Sequence, residues 1–243
     1  MGTSQPSFNA PAAPVRYRVK PGDTLGKIAR RFYDDASLFP LIVAANQFPD
    51  PDKLTVGQEI LIPDAALVAA DVTTTSSGPG QASGPPVANP TARLNEQRLS
   101  QLHPILAIRG RCMIELCAHE GIAILVTQGL RTWEEQDALY AKGRTVPPLG
   151  KIVTKAKGGY SYHNFGLAFD IVVLDAVGKA DWDTEHPFWQ RAAQLGKSVG
   201  LEWGGDWKSF KDVPHFQYIG GLTTAQCREL FPSGLQAIWE QVT

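Results

Sequence analysis

Residues 161–170 read SYHNFGLAFD and place His163 seven positions before Asp170, which opens onto the apolar run Ile171-Val172-Val173. Imidazole and carboxylate are both ligands for a cation such as zinc, which takes three or four His, Cys, Asp or Glu donors and keeps one position open in a catalytic site. Gly166 lies between the two and permits a tight bend. Asp170 sits inside the apolar stretch LAFDIVV, where a buried carboxylate is costly unless it is paired or metal-bound. The same residues also fit a turn with a polar cap at a strand end. From this segment alone the two readings stand level.

A second motif, DVPHFQ, puts Asp212 three residues before His215, with Pro214 restraining the turn between them. A ligand with a nearby carboxylate that is not itself a ligand suits metal-assisted hydrolysis. The ion acidifies water, and the carboxylate takes the proton and returns it to the leaving amine. The bland alternative for Asp212 is a surface turn residue. The other histidines compete poorly as ligands. His103 and His186 each precede a proline at a helix start, where capping or packing is expected, and His119 falls near a helix C-terminus, where imidazole suits the macrodipole. No HExxH helix is present, and the three cysteines, Cys112, Cys117 and Cys227, have no CxxC spacing. Buried free thiols are expected at Cys112 and Cys117.

The elements that must position these residues follow from local pattern. IAILVTQG is a short β-branched apolar run and predicts a strand. LRTWEEQDALYAKG predicts a helix with Thr132 as its cap and Glu135 at capping-box spacing. RLNEQRLSQLHPILAIRGRCMIELCAHEG is helical in pattern, with Gly121 as a C-terminal stop, and HPFWQRAAQLGKSVG predicts another helix. Short strands and helices mix along this part of the chain, and the expected fold class is α+β.

Composition divides the chain. Residues 71–90, DVTTTSSGPGQASGPPVANP, cannot bury enough apolar area to offset their ordering entropy, so they predict a linker between two folding units. The expected division is a flexible tail over 1–15, a module over 16–63, a linker over 64–92 and a larger domain over 93–243. Formal net charge is −1, which argues against nucleic acid as partner. There is no run long enough to span a bilayer and no signal-peptide pattern at the N-terminus, so synthesis in a reducing cytoplasm is expected. A monomer is expected because no coiled-coil seam appears.

The first unit reads YRVKPGDTLGKIARRF, then LIVAANQF, then DKLTVGQEILIP, a β-α-α-β order with Asp23 or Thr24 as helix cap. Over residues 16–63 it resembles a LysM module, a family that binds N-acetylglucosamine-containing glycans such as peptidoglycan or chitin. The resemblance implies a groove with Gly22, Asp23, Thr24 and Leu25 on one wall and residues around Asn46, Gln47 and Phe48 on the other. For each of these residues a structural role is an equal alternative: Gly22 for the turn, Thr24 for the cap, Leu25 for the core.

The second unit resembles the M15 zinc peptidases over Leu94–Tyr218. Its S-x-H-x-x-G-x-A-x-D run from Ser161 to Asp170 and the D-x-x-H of Asp212–His215 carry the likeness. GLRTWEEQDALYAKGRT, WGGDW and PHFQ look most like the L-alanyl–D-glutamate endopeptidase branch, which includes phage endolysins. The resemblance implies an α+β domain, a small antiparallel sheet with helices packed on it, with Zn2+ held at one face by His163, Asp170 and His215. It further implies Asp212 as catalytic base, Arg131 on the substrate and its developing oxyanion, and Gln128, Gln136 and Ser161 shaping the pocket. Glu202 and Asp206 are rival bases ranked below Asp212. The implied activity is hydrolysis of a peptidoglycan stem-peptide amide between L-Ala and D-Glu, with the LysM module concentrating the enzyme on its substrate. The enzyme would reach the wall after holin release or as cargo of an injection system. Two alternatives stand beside it: a D-Ala-D-Ala carboxypeptidase of the same fold, and a non-catalytic wall-binding component of a phage tail or injection system.

Overall fold

The computed structural model describes residues 14–46, 54–63 and 90–242. Gln47, Phe48 and residues 1–13 and 64–89, expected as groove wall, tail and linker, lie outside them.

The N-terminal module is a two-stranded antiparallel sheet with two helices: β1 (Val15–Arg18), α1 (Leu25–Tyr33), α2 (Phe39–Asn46) and β2 (Glu59–Ile62), with Val15 opposite Ile62. Thr24 caps α1, its Oγ1 accepting from Lys27 N at 3.3 Å. Leu25, Ile28 and Ala29 are buried on one face of α1. Tyr33 is fully buried and donates its hydroxyl to Pro63 O at 2.7 Å. Asn46 ties α2 to β2: its Nδ2 donates to Ile42 O and Leu61 O, and its Oδ1 accepts from Leu61 N, each at 2.6 Å.

The C-terminal part opens with α3 (Pro90–Leu99) and α4 (Pro104–His119). Helix α3 begins within the stretch read as linker, because Pro90 has the fixed φ that suits a first helical turn. The long helical pattern is two helices, since Pro104 has no N–H to continue one and starts the next. His103 caps α4, its Nδ1 accepting from Ile105 N at 3.2 Å, and Nε2 lies 3.3 Å from Trp239 O.

Then come β3 (Ala123–Gln128), α5 (Trp133–Ala141), β4 (Ala168–Leu174), β5 (Ala180–Asp181), α6 (Pro187–Ser198), β6 (Glu202–Trp203), β7 (His215–Gln217), α7 (Thr224–Leu230) and α8 (Leu235–Trp239). The sheet is five-stranded and antiparallel, ordered β3-β4-β7-β6 with β5 pairing on β4. Strand β4 is central and nearly all buried, so it reads as a continuous apolar run with one charge, Asp170. Helices α4 and α6 cover one side of the sheet through Met113, Cys117, Trp189, Ala192 and Ala193. A second apolar cluster, Phe165, Leu167, Cys227, Ile238 and Val242, anchors the C-terminal helices.

The two parts touch. Helix α2 packs on α4, and Arg109 of α4 donates to Asp35 Oδ2 at 2.7 Å while its guanidinium lies 4.4 Å over the Tyr218 ring.

Burial lowers the His103 pKa to about 4, from 6.5. The unfolded chain therefore binds one more proton than the folded one between those two values, and stability falls as pH drops through that window. Asn at position 103 also caps but does not titrate. Wild type should lose about 2 kcal/mol more than His103→Asn between pH 7 and pH 4.5, measured by urea unfolding. Equal losses would place the acid sensitivity elsewhere.

Candidate metal centre and catalytic cleft

The register of the sheet assembles the site. Asp170 on β4 stands opposite His215 on β7 and Gln128 on β3. His163 arrives from a 3-10 turn, Tyr162–Phe165, that ends at Gly166 with φ 67°. That left-handed conformation favours glycine, and an added Cβ would meet the Trp239 ring at 3.0 Å. Asn164 clamps the turn: its Oδ1 accepts from Gly159 N at 3.0 Å, and its Nδ2 donates to Arg131 O at 2.9 Å and Thr132 O at 3.0 Å. Arg131 in turn sits just before α5, whose capping box joins Thr132 and Glu135 as the spacing predicts.

Three donor atoms face one another. His163 Nε2, Asp170 Oδ1 and His215 Nδ1 form a triangle with all three edges 3.2 Å. Donors bound to zinc at about 2.0–2.1 Å in a tetrahedron are roughly 3.3 Å apart, so the triangle has the right size for one face of such a shell. Each ring is oriented from behind. His163 Nδ1 lies 2.9 Å from Gly129 O, and His215 Nε2 lies 3.0 Å from Gln217 Oε1. A donor hydrogen bond at the far nitrogen leaves the near lone pair free for a metal. Gln217 is itself held, donating to Glu202 Oε2 at 2.8 Å. The group could hold a metal ion with His163, Asp170 and His215 as its three ligands.

The electrostatics agree. Burial raises the Asp170 pKa, but His163 and His215 outweigh it and hold the carboxyl well below the usual range. Burial lowers that of His215, yet its hydrogen bond to Asp170 leaves the net value raised.

The triangle forms part of the wall of a cavity of ≈ 610 Å³, together with Arg131, Ser161 and Asp212. Asp212 rides on a loop pinned by its own N–H to Gly204 O at 3.0 Å and by Trp203 Nε1 to Val213 O at 2.8 Å. Gly204 permits that approach, since a Cβ there would stand 2.5 Å from Asp212 O. The Asp212 carboxylate has no hydrogen bond or ion pair among the described residues, and burial, with Asp170 adding, pushes its pKa up. Arg131 is buried; its Nη1 donates to Gln136 Oε1 at 2.7 Å, its Nη2 lies 3.7 Å from Asp170 Oδ2, and its Nε has no hydrogen-bond partner among the described residues.

The remaining sequence candidates fall elsewhere. Gln136 is fully buried and shapes the wall from behind, donating to Ala156 O at 2.8 Å. Gln128 does not line the cavity; its amide donates to Leu130 O at 3.4 Å and Thr127 takes the wall position. Glu202 is held by Gln217, and Asp206 pairs with Lys197 at 2.9 Å, both away from the cavity lining. In the N-terminal module, Asp23 Oδ2 accepts from Lys20 N and Tyr17 Oη at 2.8 Å, and Thr24, Leu25 and Asn46 serve cap, core and clip. Gly22 alone is exposed with no structural side chain to spend, at φ 81°. Sequence reasoning missed Lys155, Tyr160, Trp182, Trp207 and Phe210, which line the cavity from loops. The Trp207 ring lies 5.0 Å from that of His215, and the WGGDW motif was its signal.

An antiparallel sheet with a His-Asp-His triangle and a free carboxylate beside it is the frame of a metallopeptidase. Residues 154–218 match the family described as D-alanyl-D-alanine carboxypeptidase (Peptidase_M15_4), and residues 17–63 match the LysM domain. The chain is 42% identical over 127 residues to the peptidoglycan L-alanyl-D-glutamate endopeptidase CwlK of Bacillus subtilis (strain 168), across 49% of this chain and 75% of that protein. The chain thus belongs to the M15 peptidase family and carries a LysM domain at its N-terminal side. The L-alanyl-D-glutamate peptidase of Listeria phage A118 is 34% identical over 110 residues, 44% of this chain and 34% of that protein. Among solved structures, the L-Ala D-Glu endopeptidase ChiX of Serratia marcescens aligns at 27% identity with a TM-score of 0.37, over 52% of this chain and 86% of that one.

Proposed function

We propose that the chain is a zinc-dependent peptidoglycan hydrolase that cleaves the stem peptide between L-Ala and D-Glu. The observation that carries this is the 3.2 Å triangle of His163, Asp170 and His215 beside the unpartnered Asp212 carboxylate. Both the Bacillus and the phage relative bear the name of that activity.

His163, Asp170 and His215 would hold the ion at the wall of the cavity. Zinc, when bound there, supplies a Lewis acid that acidifies water and polarises the scissile carbonyl. Asp212 accepts the proton of the attacking water as the new C–O bond forms, then hands it to the leaving D-Glu nitrogen as the C–N bond breaks. Arg131 is fixed by Gln136 and offers positive charge where the carbonyl oxygen becomes an oxyanion. Ser161 lies on the cavity wall, in reach of the peptide.

The LysM domain, over 16–63, would bind the N-acetylglucosamine-containing glycan, with Gly22 and its turn at the groove. The peptidase domain follows the linker. The protein acts as a monomer in the bacterial wall, after holin release or delivery by an injection system. No helix among the described residues is long and apolar enough to cross a membrane. The name of the matched family supports one alternative, removal of the terminal D-Ala.

Mass spectrometry of a peptidoglycan digest by zinc-loaded protein separates these. Release of peptides that begin at D-Glu is expected. Loss of terminal D-Ala alone would move the protein to the carboxypeptidase activity, and no cleavage would leave a wall-binding protein.

A further inference from the structure

Two cations line the cleft, and only one is committed. Arg131 is paired with Asp170, whereas Lys155 has no carboxylate within ion-pair distance among the described residues. Its ammonium rests 4.9 Å from the centre of the Phe210 ring, which also lines the cavity. The backbone beneath it is held firmly. Gln136 Nε2 donates to Ala156 O at 2.8 Å, Arg144 Nη2 donates to Thr154 O at 2.9 Å, and Ala156 N donates to Thr154 Oγ1 at 3.2 Å. Gln136 is the same residue that accepts from Arg131, so one buried amide sets both cations relative to the metal ligands. The side chain of Lys155 is nonetheless exposed, and Phe210 is 40% exposed. A cation over a half-exposed ring gains little, since water competes for the ammonium. It is therefore available to a better partner.

We propose that Lys155, resting on Phe210 in the free enzyme, is the subsite for a substrate carboxylate. Resting on the L-Ala–D-Glu reading, it takes the free α-carboxylate of the D-glutamyl residue. That residue is joined onward through its side-chain carboxyl, so its α-carboxyl stands beside the scissile amide, either free or amidated. Lys155 thereby makes the enzyme favour the free acid over the amide. Asp212, also on the cavity lining, bears the same charge as that carboxylate, so a fixed cation keeps the substrate acid away from the catalytic base.

The test compares kcat/KM of the zinc-loaded full chain on two synthetic peptides, N-acetyl-L-Ala-γ-D-Glu-L-Lys and its D-isoglutamine counterpart. Wild type should favour the acid by about fivefold, the size of a part-screened ion pair. In Lys155→Met, which keeps the stem over Phe210, the preference should fall to near unity. Lys155→Arg should keep it and Lys155→Glu should reverse it. An unchanged preference in Lys155→Met, or a wild type indifferent to amidation, would overturn the subsite while leaving the endopeptidase reading intact. A wild type that cleaves neither peptide nor intact peptidoglycan would overturn both.

Discussion

Asp212→Asn should lower kcat/KM on stem peptides by roughly 10²–10⁴, the usual contribution of a positioned general base, and leave bound zinc at wild-type stoichiometry. The side chain faces the cavity with no hydrogen bond or ion pair among the described residues, so nothing in the fold requires its charge. Burial and the nearby Asp170 raise its pKa, which makes it a better proton acceptor than an ordinary aspartate once ionised. Its main-chain bonds to Gly204 O and from His215 N belong to the backbone and survive the substitution. The loop, and with it His215, should therefore stay in place. Asp206→Asn is the matched control. That carboxylate pairs with Lys197 on the surface, and its removal should change kcat/KM by less than about twofold. Equal losses in both variants, or a zinc deficit in Asp212→Asn, would remove Asp212 from the role of base.

Much of this site is legible in the sequence because its parts are local. The SYHNFGLAFD run holds two donors and the glycine that lets the turn bend, and DVPHFQ holds the third donor with its carboxylate. A lone charge in an otherwise apolar strand is a strong signal, since burial of a bare carboxylate is so costly. The caps at Thr24, His103, Thr132 and His186 were also readable, each lying just before its helix with a recognisable partner or proline. What could not be read is what distance in sequence hides. Strands β5 and β6 have two residues each, too few for any period to show. Phe210 and Lys155 meet from separate loops 55 positions apart, and Asp35 meets Arg109 across 74 positions. The LysM candidates illustrate the opposite case: Asp23, Thr24, Leu25 and Asn46 each make contacts that fold the module, and a motif does not separate that role from ligand contact.

Asp170→Asn should abolish activity by removing the metal, and the proof lies in stability. In the metal-free protein three lone-pair donors stand 3.2 Å apart, an arrangement that repels unless protons or a cation sit among them. Zinc binds the folded state and not a preformed site in the unfolded one, so at a thousandfold excess over Kd it adds about 4 kcal/mol. For a domain of this size that corresponds to a rise in Tm on the order of 10 °C. Asn offers one neutral oxygen in place of a charged one, and the rise should shrink to a small fraction of the wild-type value. The pH dependence follows from His215. Its pKa is raised in the metal-free protein by its hydrogen bond to Asp170, and the proton there must leave before zinc can bind. The zinc-induced shift in Tm should therefore weaken as pH falls, beginning at a higher pH than an unshifted imidazole would set. In Asp170→Asn that raised His215 value loses its largest cause, while Gln217 and Asp212 remain, so whatever zinc binding is left should weaken only at lower pH. A full zinc-induced rise in Asp170→Asn would mean that the ion, if it binds, binds elsewhere.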